Sequence, residues 1–171
     1  MTPDVFKLFA AYNQYANGEM NKLISKLEKS EWEREFGGYY KSIRALCSHV
    51  YLGDWAWMKR FRHVREFGYL GNPVFAAPFE WSEVLYPAVE EYLAKRKEMD
   101  GLLVSFAAEL LQEDLDRTLH YKNWKNEDQS RNVGGTILHV FNHQTHHRGM
   151  ISLYLDLLGK ENDFSNLISV V

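Results

Sequence analysis

Phe6, Phe9, Tyr12, Ala16, Met20, Leu23 and Leu27 recur at three- and four-residue spacing. This spacing predicts an amphipathic helix running to about Lys29. Thr2 followed by Pro3 marks its start, a capping hydroxyl ahead of a proline at the first helical position. Gly37-Gly38 predicts a break. Ser42 then caps a second helix whose inward positions include Leu46, His49, Val50, Gly53, Trp57 and Phe61. That helix closes in a basic turn near Arg62 and Arg65, where cations suit a helix C-terminus. A crossover punctuated by Gly and Pro follows, from Gly68 to about Pro78. A third helix starts close to Pro87 and reaches about Gln112, burying Leu93, Leu103, Phe106 and Leu110. Asp114 to Asn132 reads as irregular, with Leu115, Leu119, Tyr121 and Trp124 in a short extended hairpin. Gly134-Gly135 precede a fourth helix, which runs to about Leu158 and stops at Gly159. The apolar tail Leu167 to Val171 is expected to pack onto the helices. Four long helices without a strong sheet signal predict an all-α fold, a four-helix bundle of one domain over 1–171.

Composition narrows the function. The chain has 171 residues and a net charge of −3, with 46% apolar and 25% charged residues, as in ordinary globular proteins. No helix gathers Lys and Arg on one face, and Lys95-Arg96-Lys97 is flanked by Glu91 and Glu98. Nucleic acid is therefore not an expected partner. No apolar run reaches membrane-spanning length, and the N-terminus lacks a signal-peptide pattern. With one cysteine, Cys47, the expected compartment is the cytoplasm.

The fourth helix carries the informative pattern. At about 100° per residue, His139, His143, His146 and His147 fall within one arc of about 100°, and Met150, Tyr154 and Leu157 continue it. Asn142, Thr145, Gly149, Ser152 and Asp156 occupy a different, polar sector. The histidine face is therefore expected to point into the bundle. Protonated imidazoles sharing a buried face repel, and neutral ones still need partners. A divalent cation resolves both problems, and an i, i+4 His pair can reach one ion. His49 is the best candidate for a third ligand, while His63 and His120 read as exposed. Gln144 stands where the protease motif has its Glu, which argues against a peptidase. A hydrogen-bonded core or a surface histidine cluster is the competing explanation.

Leu138 to Gly149 (LHVFNHQTHHRG), His49 to Trp57 (HVYLGDWAW), Tyr121 to Trp124 and Asp163 to Leu167 together resemble the DinB family, named for DNA-damage-inducible proteins. The resemblance implies a four-helix bundle, commonly a homodimer, holding one divalent ion with His49, His143 and His147. His139 and His146 become neighbours of that set. Many relatives carry Gln after the Arg-Gly pair, where this chain has Met150. Some members of the wider superfamily transfer thiols or isomerise thiol adducts.

Around the site, Asp54 either orients a ligand or is an exposed helix carboxylate. Arg148 either binds an anionic substrate or forms a salt bridge. Trp55, Trp57 and Tyr154 either line a pocket or pack in the core, and Cys47 reads as a buried thiol. The leading functional expectation is a metal-dependent enzyme, with zinc or nickel activating water or a low-molecular-weight thiol against a small-molecule substrate. The alternative is a non-catalytic stress-response protein in which the ion staples two helices.

Overall fold

Thr2 occupies the N-cap of α1 (Pro3–Ile24), with Pro3 in the first turn, but its hydroxyl makes no capping hydrogen bond. The helix is shorter than its apolar periodicity predicts. A second short helix, α2 (Lys29–Glu33), restarts where Glu31 reaches back to the backbone N–H of Glu28 at 2.9 Å. Ser42 caps α3 (Ile43–Arg60), its hydroxyl accepting from the Ala45 N–H at 3.1 Å. The third long helix, α4, spans Val89–Glu109. The computed structural model describes residues 1–76, 85–164 and 166–170. The Pro78 end of the predicted crossover, Ser165 and Val171 thus lie outside the described residues.

The stretch expected to be irregular is ordered. It forms α5 (Gln112–Asp116), then β1 (Thr118–Lys122) and β2 (Asp128–Asn132), antiparallel with Thr118 opposite Asn132 and Lys122 opposite Asp128. Leu115 belongs to α5 rather than to the hairpin, and Trp124 stands 86% exposed at its tip. The last helix, α6, spans Val133–Leu157, so Gly134 and Gly135 lie inside its first turn, where Asn132 accepts from the Gly135 N–H. Gly159, with φ +71°, ends it in the left-handed conformation glycine tolerates. In the tail Phe164 enters the core, whereas Ile168 is exposed.

The chain is mostly helical with one small sheet. The helices α1, α3, α4 and α6 pack side by side, α1 against α4 and α6, and α3 against α6 and α4. Their apolar side chains form two separate clusters. One gathers Phe6, Trp55, Met58, Phe61, Leu103, Phe106 and Phe141 toward the hairpin. The other gathers Met20, Ile24, Leu46, Cys47, Tyr92, Ile151 and Leu155 at the opposite end. Each fully buried large side chain contributes about 1.5–3 kcal/mol. Between the clusters runs a buried polar layer of Asn13 and Asn17 from α1, Asp54 from α3, Arg96 and Asp100 from α4, and Gln144 and Arg148 from α6. No helix among the described residues is long and apolar enough to cross a membrane.

Candidate metal centre

Two helices build the site. On α3, His49, Gly53 and Trp57 follow at four-residue spacing, and on α6 so do His139, His143 and His147. Such residues stack one turn apart on a helix face, so the antiparallel pair forms a seam of His49–Gly53–Trp57 against His147–His143–His139. Gly53 makes the seam close: a β-carbon there would lie 2.9 Å from Cε1 of His143. The His49 and His143 Nε2 atoms stand 2.9 Å apart. The His147 ring is centred 4.6 Å from His49 and 4.4 Å from His143. One potential ligand atom from each of His49, His143 and His147 lies within 4.8 Å of the other two. Nitrogens sharing one tetrahedral ion at 2.0–2.1 Å stand about 3.3 Å apart, so the cluster is within a side-chain adjustment of a coordination sphere.

The electrostatics favour neutral, lone-pair-bearing rings. Burial lowers the His49 pKa. Burial, aided by His147 and His49, takes His143 down to about 3. Burial, aided by His49 and His146, takes His147 down to about 4. Nδ1 of His147 is buried without a hydrogen-bond partner. Such an orphan costs about 1–3 kcal/mol, and a cation coordinated by that ring is one way to offset it. Two Nε2 atoms at 2.9 Å also require a proton on one of them, or a cation facing both lone pairs. The donor set therefore fits a divalent ion.

The predicted orientation of the histidine face needs correction. The buried stripe of α6 is centred on Ile137, Val140, Gln144, Arg148, Ile151 and Leu155, and the histidines flank it. His147 is buried, His143 half-buried, and His139 and His146 exposed, while Leu157 is 58% exposed rather than in the core. His139 stacks edge-on against Trp57 with its ring centred 6.0 Å from that of His143. His146 lies 4.8 Å, centre to centre, from His147. Both neighbour the cluster without joining it. The flanking position leaves the site open along one edge.

Asp54 and Arg148 belong to the polar layer behind the site. Asp54 is fully buried, not exposed, and reaches no imidazole. It pairs with Arg96 at 2.6 Å and accepts from the Gln144 amide. Burial pushes its carboxyl up to about 6, against the pull of Arg96. Arg96 also pairs with Asp100 at 2.8 Å, and Asp100 accepts from Asn17. Arg148 donates to Asn13, to Asn17 at 3.3 Å and to Gln144 at 3.4 Å. Its guanidinium is thus embedded in amides rather than presented to a ligand. Trp55 is in the core, and the Cys47 thiol is pushed up to about 12 by burial, as its structural reading requires.

Sequence reasoning missed Tyr40. Its hydroxyl lies 2.9 Å from Nε2 of His49, and its ring stacks on His49 at 4.3 Å and stands edge-on to His147 at 5.3 Å. Burial raises its pKa, with Tyr39 adding to the effect. Tyr154, read as a pocket or core residue, is buried in the core and fixes this loop: its hydroxyl donates to the Tyr40 carbonyl at 3.0 Å and its ring stacks on Phe36. Gly37 has φ +79°, and a β-carbon on Gly38 would collide with the Tyr154 hydroxyl. The Gly-Gly-Tyr-Tyr string, separated by Lys41 from the Ser42 cap, was the available signal.

Protein DinB of Bacillus subtilis (strain 168) is 27% identical over 165 residues, covering 93% of this chain and 88% of that protein. No solved structure matches the chain. The DinB family model matches residues 1–167, nearly the whole length, and the chain belongs to the DinB family.

Proposed function

We propose that the chain is a metal-dependent enzyme in which His49, His143 and His147 hold one divalent cation, zinc or nickel, at the α3–α6 seam. The observation carrying this reading is the convergence of three imidazoles from two helices, their ligand atoms within 4.8 Å of one another. When bound, such a cation supplies Lewis acidity and lowers the pKa of a water or thiol that reaches it. The chain's own contribution is positional. Burial keeps the three rings neutral, Gly53 admits the His143 ring, and Tyr40 brings a hydroxyl to the open edge. That hydroxyl can donate a hydrogen bond to, or accept one from, a molecule entering there. Structural zinc sites are closed by four protein ligands, whereas a three-His set leaves a position for substrate. The half-exposure of His49 and His143 favours the second pattern.

On this reading the reaction is either transfer of a low-molecular-weight thiol, as cosubstrate, to a small electrophile, or hydrolysis of that electrophile by water. The four long helices act as a four-helix bundle of one domain over 1–171, working as a cytoplasmic homodimer without nucleic-acid or membrane partners. Family membership and the net charge of −3 support these points. The test is turnover of cysteine or glutathione with 1-chloro-2,4-dinitrobenzene, and of p-nitrophenyl acetate, by the zinc- and nickel-loaded chain. The expected result is metal-dependent turnover that His49→Ala abolishes. Tight metal binding and a large drop in Tm on chelation, with no turnover on any substrate, would instead make the ion a staple between α3 and α6.

A further inference from the structure

Beyond the histidines the same seam opens into a groove of about 350 Å³, lined by Trp57, Tyr121, Arg131, Asn132, Thr136 and His139. This is at the small end of ligand-pocket volumes. Trp57 lies two turns past His49 along α3, and His139 lies one turn before His143 along α6. The groove is therefore about one to two helical turns, some 6–12 Å, from the cluster. Trp57 stands edge-on to Tyr121 at 5.3 Å and to His139 at 5.6 Å, giving the groove flat aromatic walls. The half-buried guanidinium of Arg60, which lines the adjoining cavity with Lys59 and Arg62, lies over both aromatic walls, 4.8 Å from the Trp57 ring and 5.1 Å from the Tyr121 ring.

Among the described residues no carboxylate pairs with Arg60, unlike Arg65 and Arg96, which hold Asp114 and Asp54. Arg131, on the groove wall, bonds the Ser130 carbonyl and the Gln129 side chain, leaving other N–H groups of its five uncommitted. The described lining contains no acidic residue. A net-negative chain thus lines an aromatic groove beside the histidines with one unneutralised guanidinium, Arg131, and stacks a second, Arg60, on the rings that wall it. Guanidinium is the side chain best shaped to hold a carboxylate, and aromatic walls suit a flat apolar body.

We propose that this groove is a binding site for the carboxylate end of the substrate, an arylalkanoate-like molecule whose reacting atom lies at the histidine cluster. The proposal deepens the metal-enzyme reading and rests on it only for the position of the reacting atom. Recognition of the acid itself needs no metal. A merely structural Arg60, clamping the hairpin to α3 through its two rings, would make no distinction between charged and uncharged ligands.

The test uses that distinction. Binding of 4-phenylbutyrate and of its neutral amide to the full chain is measured by calorimetry, with and without zinc. The acid should bind about tenfold tighter, the scale of one charge-assisted hydrogen bond. Arg131→Gln, in the groove lining, should erase most of the preference and Arg131→Lys should keep part of it; Arg60→Gln, behind the aromatic walls, should weaken it, and Arg34→Gln, stacked on Phe36 away from the groove, should leave it whole. Equal binding of acid and amide, or a preference that survives Arg60→Gln and Arg131→Gln together, would overturn the proposal. A chain that retains the preference but binds no zinc would support the groove and remove the metal reading alone.

Discussion

At Gly53 the backbone needs no special conformation; what the position needs is space. A β-carbon there would meet the His143 ring at 2.9 Å, so the ring must give way. Gly in a helix interior otherwise costs about 0.5–1 kcal/mol relative to Ala. Gly53→Ala should therefore leave thermal stability unchanged or raise it slightly, yet weaken zinc binding at least tenfold. Unchanged affinity in a calorimetric titration would mean that the His143 position does not matter to the site. Tyr40→Phe separates two roles in the same way. If the hydroxyl only hydrogen-bonds near His49, zinc affinity should stay within a few-fold of the wild type. A loss of a hundredfold would make Tyr40 a ligand.

Among the elements, the polar layer joins α1, α3, α4 and α6 through one connected set of hydrogen bonds and ion pairs. Two carboxylates, Asp54 and Asp100, face two guanidiniums, Arg96 and Arg148, all buried. Asp54→Ala would leave the fully buried Arg96 with Asp100 as its remaining partner. Breaking a buried pair costs about 3–5 kcal/mol, and urea denaturation should register a loss of that size. Asp156→Ala, on the exposed face of α6, should cost next to nothing.

This layer also marks the limit of what the sequence discloses. Helix existence was legible because Phe6, Tyr12, Ala16 and Met20, or Leu103 and Phe106, repeat at helical spacing, and Ser42 and Gly159 cap as their chemistry predicts. The polar layer was not legible: nothing in the sequence marks Asn13, Asn17 and Arg96 as buried, and Asp54 reads as either a ligand-orienting or an exposed carboxylate until the partners on other helices are known. The same blindness shifted the inward face of α6 toward the histidines, because Gln144 and Arg148, the true centre of its stripe, are polar. His143 and His147 were singled out because like residues at i, i+4 leave a local trace, and His49 because it falls on the inward face of its helix and matches the family resemblance. Tyr40 sits on a loop, where no periodicity points.

Over the whole molecule, the histidines tie stability to pH. Their folded-state pKa values lie below the ordinary value near 6.5, at about 3 for His143 and about 4 for His147, with His49 also lowered. As pH falls below about 6.5 the unfolded chain takes up protons that the folded chain refuses, so stability is lost between about pH 6.5 and 3. Asp54, raised to about 6, acts in the opposite sense: it favours the folded state as pH falls through the same range. Asp100, also raised by burial, acts with Asp54. Three imidazoles outweigh these two carboxylates, so Tm of the metal-free protein should fall on acidification from pH 7 to 4.5. Asp54→Asn should make that fall steeper. A Tm that rises over this interval would mean the rings are not held neutral.

Metal content across histidine variants probes the site most directly. Protein made without a His tag, loaded with zinc, dialysed and measured by elemental analysis should carry one ion per chain in the wild type. His139→Ala and His146→Ala should keep it, and His49→Ala, His143→Ala and His147→Ala should each lose most of it while remaining helical by circular dichroism. Full occupancy in His49→Ala would contradict the account, because an ion held without α3 is not held at the seam.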